Sequence, residues 1–405
     1  MWLTQFLFDV ALGSVYRRVV TAAGTLAMEG GTLIASNHQR EVDGPLMGSV
    51  LVARHGMRFA HPLPYFAARD DLFRPGILSR LEVHWPRAID ALLSRVSLAW
   101  FFPLGRTEPM LRVREFTLRD TLQALIAVGM GATACGALLN ARGLRALGGL
   151  DSALSIRALM RYRDIPFEGW WGLRRLTLAT FNRLAPLFRN AVEGQLQLFA
   201  QRLNNGHSVY FAPEGSISYD GRFGRIRAGS FRLVHMARTP PWIQPAGFGY
   251  DVFVPGRSRF VVRLGERFRA DRRLSRRDFD AQLRERILAL APITPSHLLA
   301  CFLSHGPRRF SERDLCHWLS AAVAELEAQR RSLDPAFATL EIEALTTERL
   351  HWLQHKGLVR RQGIGFANLA DRDSAPGWRN PSAVVRYLDN SLLDIAPLVV
   401  RTLKR

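Results

Sequence analysis

The sequence predicts an α/β fold, because short apolar runs typical of buried strands alternate with segments of helical character. Two of the runs, at 33–35 and from 209 onward, each lead into a loop that contains glycine, proline and acidic residues. Further strand-like runs are 97–102, 244–250 and 260–265. A helix is expected over 46–52, and a helix followed by a turn over 192–206. With 405 residues, 48% of them apolar, the chain can bury a large core and lacks the composition of a disordered protein.

The first loop places a histidine close to an aspartate. Leu33–Ala35 is the predicted strand, Asn37 and His38 follow it, and four residues separate His38 from Asp43. On a regular helix His38 and Asp43 would point about 140° apart, so they meet only if the chain turns between them. The Asp-Gly-Pro sequence at 43–45 favours such a turn before a helix.

In that arrangement the Asp43 carboxylate holds one imidazole nitrogen of His38 and leaves the other free to accept a proton from a substrate hydroxyl. The alternative is structural. His38 is then an ordinary polar residue near a turn, and Asp43 caps the helix that follows.

The second loop strengthens the catalytic interpretation. The run 208–218 reads S-V-Y-F-A-P-E-G-S-I-S and brings Pro213, Glu214, Gly215 and Ser216 to the end of a predicted strand. Together the two loops resemble the glycerolipid acyltransferase family, whose members acylate glycerol 3-phosphate or lysophosphatidate from an acyl thioester.

The family's N-H-x-x-x-x-D motif is matched by Asn37, His38 and Asp43, and its F-P-E-G-T motif by 211–216, with an inserted Ala and with Ser for Thr. Segments 227–230 and 243–246 resemble later family motifs, so the resemblance covers about 32–266.

The resemblance implies a central mixed sheet flanked by helices. It implies that His38 and Asp43 act as a general-base pair, with no metal and no cofactor. The substrate-binding residues it implies are Asn37, Pro213, Glu214, Gly215 and Ser216. The co-substrate is then acyl-CoA or acylated acyl carrier protein, and the acceptor is a glycerol phosphate or lysophospholipid.

Two arginines compete for the role of holding the acceptor phosphate, which the family assigns to an arginine at the end of a strand. Arg106 follows the predicted strand 97–102, whereas Arg189 ends the run 186–189, which has the better spacing to Glu214. A guanidinium suits the role because its planar fork binds phosphate oxygens and stays charged. The sequence does not separate the two.

The domain organisation predicted is an acyltransferase domain at 1–291, interrupted by an insertion at about 110–185, and a small helical accessory domain at 292–405. Helices are expected over 298–303, 315–326 and 345–353, followed by a glycine turn at 357 and a short basic hairpin. A helix followed by such a hairpin is also typical of a winged helix.

The net charge and the cysteine content indicate the kind of partner and the cellular compartment to expect. A net charge of +20 attracts nucleic acid, anionic headgroups or phosphorylated substrates without choosing among them. Three cysteines are too few and too widely spaced for a disulfide framework, which favours a reducing compartment, and no signal-peptide pattern is visible.

We therefore expect a peripheral protein on the cytoplasmic face of the inner or plasma membrane. Residues 1–20 have the spacing of an amphipathic helix, for a membrane surface or for the core. The uncharged run 121–141 is either a membrane-inserted segment or a helical pair. A stripe of Leu173, Leu176, Thr180, Leu184 and Leu187 beside arginines and tryptophans favours an anionic bilayer.

Other enzyme classes lack their signatures here, since the sequence contains no G-x-S-x-G, P-loop or H-E-x-x-H motif. Two alternatives stay open. One is an acyltransferase with a non-glycerol lipid acceptor, and the other is a basic nucleic-acid-binding protein that uses 292–405, although no nucleic acid is expected as a partner of the enzyme.

Overall fold

The structure is a computed structural model, and it describes residues 13–22, 30–54, 63–69, 73, 99, 106–111, 116–148, 150–162, 171, 173–378 and 380–397. In chain order the elements are β1 (Tyr16–Ala22), β2 (Thr32–Ser36), α1 (Asp43–Arg54), β3 (Tyr65–Arg69), β4 (Thr107–Met110), α2 (Leu118–Ala127), α3 (Cys135–Leu138), α4 (Ala141–Ala146), α5 (Ile156–Leu159), α6 (Leu178–Asn204), β5 (Val209–Phe211), α7 (Ala228–Met236), β6 (Trp242–Asp251), β7 (Ser258–Leu264), β8 (Phe268–Arg269), α8 (Arg276–Leu290), α9 (Pro295–His305), β9 (Arg309–Phe310), α10 (Glu312–Ala328), α11 (Ala336–Thr339), α12 (Ile342–His355), β10 (Val359–Gln362), β11 (Gly365–Asn368) and α13 (Pro381–Ile395).

The chain divides into two compact units. The first comprises Met1–Ala67, Pro103–Thr107 and Phe199–Arg405, and the second Ala68–Phe102 and Glu108–Leu198. Both sequence motifs fall in the first unit. The predicted insertion at 110–185 falls within the second.

The main sheet is mixed, with strand order β1-β7-β6-β2-β5-β3-β4 and β8 paired to β6. Strand β2 runs parallel to β5 and β6, whereas β6 and β7 are antiparallel. The α/β class and the mixed sheet are therefore confirmed. The strands expected at 33–35, 209–211, 244–250 and 260–265 are present, and the one expected at 97–102 lies outside the described residues except for Ala99.

Helices cover both faces of this sheet, as the alternation of side chains along β2 requires. Ile34 packs in a cluster with Leu46 and Met47 of α1. Its neighbour Ala35 points to the other face and packs with residues of α7 and α8. Because β2 and β5 are parallel and in register, the loops that follow both strands emerge at the same edge of the sheet.

The C-terminal part of the first unit has the expected helices and a small second sheet of order β10-β11-β9. Helix α12 ends at a turn in which Gly357 has φ +70°, and the hairpin β10–β11 follows. The order helix, short strand, helices and hairpin resembles a winged helix. Residues from 292 onward belong to the same unit as the motifs, so the boundary expected after 291 does not coincide with one between units. That division of domains stays a prediction.

A buried ionic cluster fastens this part to the main sheet. Asp251, at the end of β6, accepts from Arg349 Nη2 of α12 at 3.0 Å and from Arg259 Nη1 at 3.1 Å. Arg259 also donates to both oxygens of Asp334, at 3.0 and 2.7 Å. The carboxylates and Arg349 are almost fully buried, so each charge needs its partner.

The second unit forms around its own apolar cluster, which overturns the membrane interpretation of the 173–187 stripe. Leu173, Leu176, Thr180 and Leu184 are buried there, and only Leu187 is exposed, at 41%. The arginine-flanked stripe is thus the core face of α6 and of the turn before it.

Within 121–141 the chain forms α2, a turn and α3. Among the described residues, no helix has the length and apolarity needed to cross a bilayer.

Two further expectations of local structure are wrong. The helix expected over 1–20 does not include Tyr16–Val20, which belong to β1 and pair with β7; residues 1–12 lie outside the described part. The run 186–189 does not end a strand, because it lies inside α6, a helix of 27 residues with Pro186 in its interior.

Candidate active site

The carboxylate of Asp43 organises the first loop. Its Oδ2 atom accepts three N–H groups: His38 Nδ1 at 2.9 Å, the Gln39 amide at 2.6 Å and the Arg40 amide at 2.8 Å. Its Oδ1 atom accepts from the hydroxyl of Tyr250. Asp43 is fully buried at the first turn of α1, where the helix dipole favours a negative charge. The turn expected before this helix is present, and α1 begins at Asp43 itself.

His38 is held in one tautomer by this contact. Its Nδ1–H points to Asp43, so Nε2 is the nitrogen left with a lone pair. The His38 side chain is 13% exposed while that of Asp43 is 0% exposed. An imidazole with a buried carboxylate behind it and limited access to solvent in front has the geometry of a general base.

Asn37 fixes the start of the same loop. Its Nδ2 donates to the Phe248 carbonyl at 2.8 Å and its Oδ1 accepts from the Phe248 amide at 3.0 Å. Both ends of the side-chain amide are therefore used by β6. Through these two contacts Asn37 positions the neighbouring His38.

Glu214 joins the two loops. Its Oε1 accepts from the His38 amide at 2.8 Å, and its Oε2 from the Gly224 amide at 2.6 Å. Burial, and to a smaller extent the nearby Asp43, raise the pKa of Glu214 to about 8 against the lowering effect of these two amides. Through these two contacts Glu214 holds the loop after β2 and the loop after β5 together.

The rest of the second loop is held by the backbone. Gly215 has φ +68° and donates its N–H to the Ala212 carbonyl at 3.0 Å. The Pro213 carbonyl accepts from the Arg227 amide at 2.8 Å, and Ser218 N donates to the His38 carbonyl at 3.0 Å. Ser216 is half-buried in this turn.

A cleft that is open to solvent lies between these loops and the C-terminal helix α13. Its lining residues are Asn37, His38, Gln39, Glu214, Ser218, Gly221, Arg222, Phe223, Leu288, Ala291, Ser391, Asp394 and Ile395. His38 and Glu214, 176 residues apart in the sequence, thus line one cleft.

The residues from α13 are ones that sequence reasoning missed. Tyr387 donates its hydroxyl to the Gln39 carbonyl at 3.1 Å, and Asp394 Oδ2 accepts from the Phe223 amide at 2.6 Å. Gly221, with φ +91°, permits this approach, because a Cβ there would lie 2.0 Å from the Tyr387 carbonyl oxygen. No local pattern marks these residues, since they act across long sequence separations.

Arg106 is not brought together with His38. The Arg106 carbonyl accepts from the Phe66 amide at 2.8 Å, and its side chain donates to the Leu63 carbonyl at 3.0 Å. Tyr65, over which the guanidinium lies, pairs with Val209 where β3 and β5 begin. Arg106 therefore lies at the edge of the sheet where the parallel strands start, whereas His38 and Glu214 follow their ends.

Arg189 lies in the second unit, exposed on α6. The basic side chain that the structure does bring to the pocket is Arg222, which is exposed and lies six residues after Ser216 in the same connecting loop. Of the residues described, no group of three or more His, Cys, Asp or Glu is placed to hold a metal ion.

Comparison with known proteins returns no family: no protein-family model matches the chain, and no curated protein matches it either. The functional argument therefore starts from the two loops and their pocket.

Proposed function

We propose that this protein is an O-acyltransferase of the glycerolipid type, which moves a fatty acyl group from a thioester to a hydroxyl of a glycerol phosphate or lysophospholipid. The observation that carries the proposal is the His38–Asp43 pair, 2.9 Å apart, on the wall of a pocket that Glu214 also lines. Supporting it, the two motif loops of the acyltransferase resemblance meet at one edge of a mixed sheet.

The chemistry starts with the acceptor hydroxyl. His38 Nε2 takes its proton as the oxygen attacks the thioester carbonyl, and the buried carboxylate of Asp43 stabilises the imidazolium that forms. Collapse of the tetrahedral intermediate breaks the carbon–sulfur bond, and the thiolate of coenzyme A or acyl carrier protein leaves and receives the proton from His38. No covalent acyl-enzyme is needed.

Arg222 supports the choice of a phosphorylated acceptor. Its guanidinium is a charged donor on the pocket wall that also carries His38, and such a group binds phosphate oxygens well. Glu214 keeps the two loops in register through the His38 and Gly224 amides. We assign Asn37, Pro213, Gly215 and Ser216 to the shape of the loops around the substrate.

The experiment is acyl transfer with purified protein, radiolabelled acyl-CoA and acyl carrier protein as donors, and a panel of acceptors. The panel contains glycerol 3-phosphate, lysophosphatidate, an uncharged monoacylglycerol and a non-glycerol lipid alcohol. The proposal expects labelled product with a phosphorylated glycerol acceptor and release of one thiol per product. Product with the non-glycerol alcohol alone would select the alternative acceptor class, and thioester hydrolysis without transfer would contradict the proposal.

A further inference from the structure

The hairpin β10–β11 is a basic projection with an apolar tip. Arg360 and Arg361 on β10 are exposed, and the strands β9, β10 and β11 contain no aspartate or glutamate. Between Glu348 and Asp371 the sequence has no acidic residue at all. The small sheet therefore presents positive charge that no acidic residue on its own strands offsets.

The register of the sheet sets where these charges lie. Arg360 pairs with Ala367, and Ala367 pairs with Arg309 on β9, so Arg360 and Arg309 are on one face, roughly 10 Å apart. Arg309 is exposed as well. Arg361 stands next to Arg360 toward the tip, so the hairpin carries cations on both of its faces.

The tip consists of an isoleucine between two glycines. Ile364 is 101% exposed, the highest value among the exposed apolar side chains of the described residues. Gly363 has φ +61° and allows the tight turn that lifts Ile364 away from the sheet. Moving a fully exposed branched apolar side chain out of water lowers the free energy, and none of the described residues covers Ile364.

We propose that the β10–β11 hairpin docks the protein on an anionic lipid bilayer, with Ile364 inserted among the headgroups and Arg360 and Arg361 held by their phosphates. The arginines and the apolar tip together identify the partner. Cations alone would bind any polyanion, but burying the apolar tip is favourable only where the partner offers an apolar phase, as a bilayer does. The proposal does not rest on the proposed acyl transfer.

Nucleic acid is the rival occupant, since the topology resembles a winged helix, and the charges on α12 argue against it. In helix-turn-helix proteins the second helix of the motif enters the major groove. Here the corresponding helix α12 exposes Glu343 and Glu348, with Glu341 exposed just before it, and these carboxylates would face DNA phosphates. Its one arginine, Arg349, is buried against Asp251 and reaches no ligand.

The test is sedimentation of the full-length protein with phosphatidylcholine vesicles that contain or lack phosphatidylglycerol. The wild type is expected to bind the anionic vesicles more tightly. Ile364→Ser should weaken that binding about tenfold, because it removes the free energy gained by moving one aliphatic side chain out of water. The double variant Arg360→Ser/Arg361→Ser should weaken it about fivefold for each arginine. Every changed side chain is exposed, and thermal unfolding checks that the fold is kept.

The matched control is Arg276→Ser/Arg277→Ser, an adjacent exposed pair at the start of α8 that removes the same charge. It should change vesicle binding by less than about twofold, because charges away from the contact are screened within a Debye length. Three results would overturn the proposal: no preference of the wild type for anionic vesicles, binding of Ile364→Ser as tight as that of the wild type, or a loss of binding in the control variant as large as in the arginine double variant. It is also overturned if the hairpin substitutions abolish binding to duplex DNA, followed by fluorescence anisotropy, and leave vesicle binding unchanged.

Discussion

Replacing Asp43 with asparagine separates the charge of this residue from its shape. The asparagine can keep its oxygen toward the N–H groups of His38, Gln39 and Arg40, and turn its amide nitrogen to the Tyr250 oxygen, which can accept a hydrogen bond. The loop then keeps its geometry. What is lost is the negative charge behind the imidazole.

The size of the loss follows from the contact. In the transition state His38 becomes positive next to a buried carboxylate, and two unit charges about 4 Å apart interact by about 4 kcal/mol at an effective dielectric constant of about 20. Part of that charge has developed when the barrier is crossed, so we expect a loss of about 2–4 kcal/mol. This corresponds to a fall in kcat of roughly thirtyfold to a thousandfold.

The assay is steady-state acyl transfer, with the thiol release followed at saturating donor. Asp43→Asn should lower kcat by that factor and leave the KM of the acceptor nearly unchanged. Tyr250→Phe is the matched control, because it removes only the contact to Oδ1 and leaves the three N–H groups on Oδ2. It should lower kcat less than Asp43→Asn does, because the negative charge behind the imidazole is kept. A wild-type kcat in Asp43→Asn, or an equal loss in Tyr250→Phe, would refute the reasoning.

Three further predictions concern the loops around the pocket. Because burial raises the folded pKa of Glu214 to about 8, its contribution to stability is present below pH about 4.5 and is lost as pH rises through about 8. Denaturant unfolding across this range should show a decline in the wild type that is absent in Glu214→Gln, and parallel curves would contradict it. Gly221→Ala should be more destabilising than Gly256→Ala in thermal unfolding by about 2 kcal/mol or more. Both have positive φ, +91° and +76°, but only at Gly221 does a Cβ meet backbone, and equal losses would contradict the close approach. Arg222→Met should raise the KM of a phosphorylated acceptor about tenfold or more, while Arg225→Met, in the same loop but outside the pocket lining, should not; equal effects would remove Arg222 from the site.

The strands and loops that build the site were predictable because their signals are local. A short apolar run at 33–35 gives β2, and Asp-Gly-Pro gives the turn and the start of α1. The meeting of Glu214 with the His38 loop could be expected from two strand-end loops of the acyltransferase pattern. The particular contact, a carboxylate accepting the His38 amide, was not visible in the sequence.

Local sequence patterns gave the wrong secondary structure at two places where tertiary packing determines it. The run 186–189 has the spacing of the family's strand-end motif, but it lies inside α6, where Leu184 and Phe188 are buried in the second unit. The helical spacing over 1–20 predicted a helix for residues that form the strand β1. Val19, Val20 and the next residue, Thr21, are β-branched and pair with β7. In both cases tertiary contacts outweigh the local pattern.

The contribution of α13 to the site had no signal in the sequence. Tyr387 meets the Gln39 carbonyl across 348 residues, and Gly221 permits this only because it lacks a Cβ. A glycine in a loop is common, so its role becomes visible only when the packed helix is seen. The C-terminal residues are thus part of the pocket wall, which the expectation of an accessory domain did not include.

The most direct test of the central claim is the single-turnover rate of acyl transfer in wild type and in His38→Ala, with thermal unfolding compared for both. If His38 is the general base, the variant should keep its fold and transfer the acyl group about a hundredfold to ten-thousandfold more slowly. A folded His38→Ala protein that transfers at the wild-type rate would show that the proton is taken elsewhere.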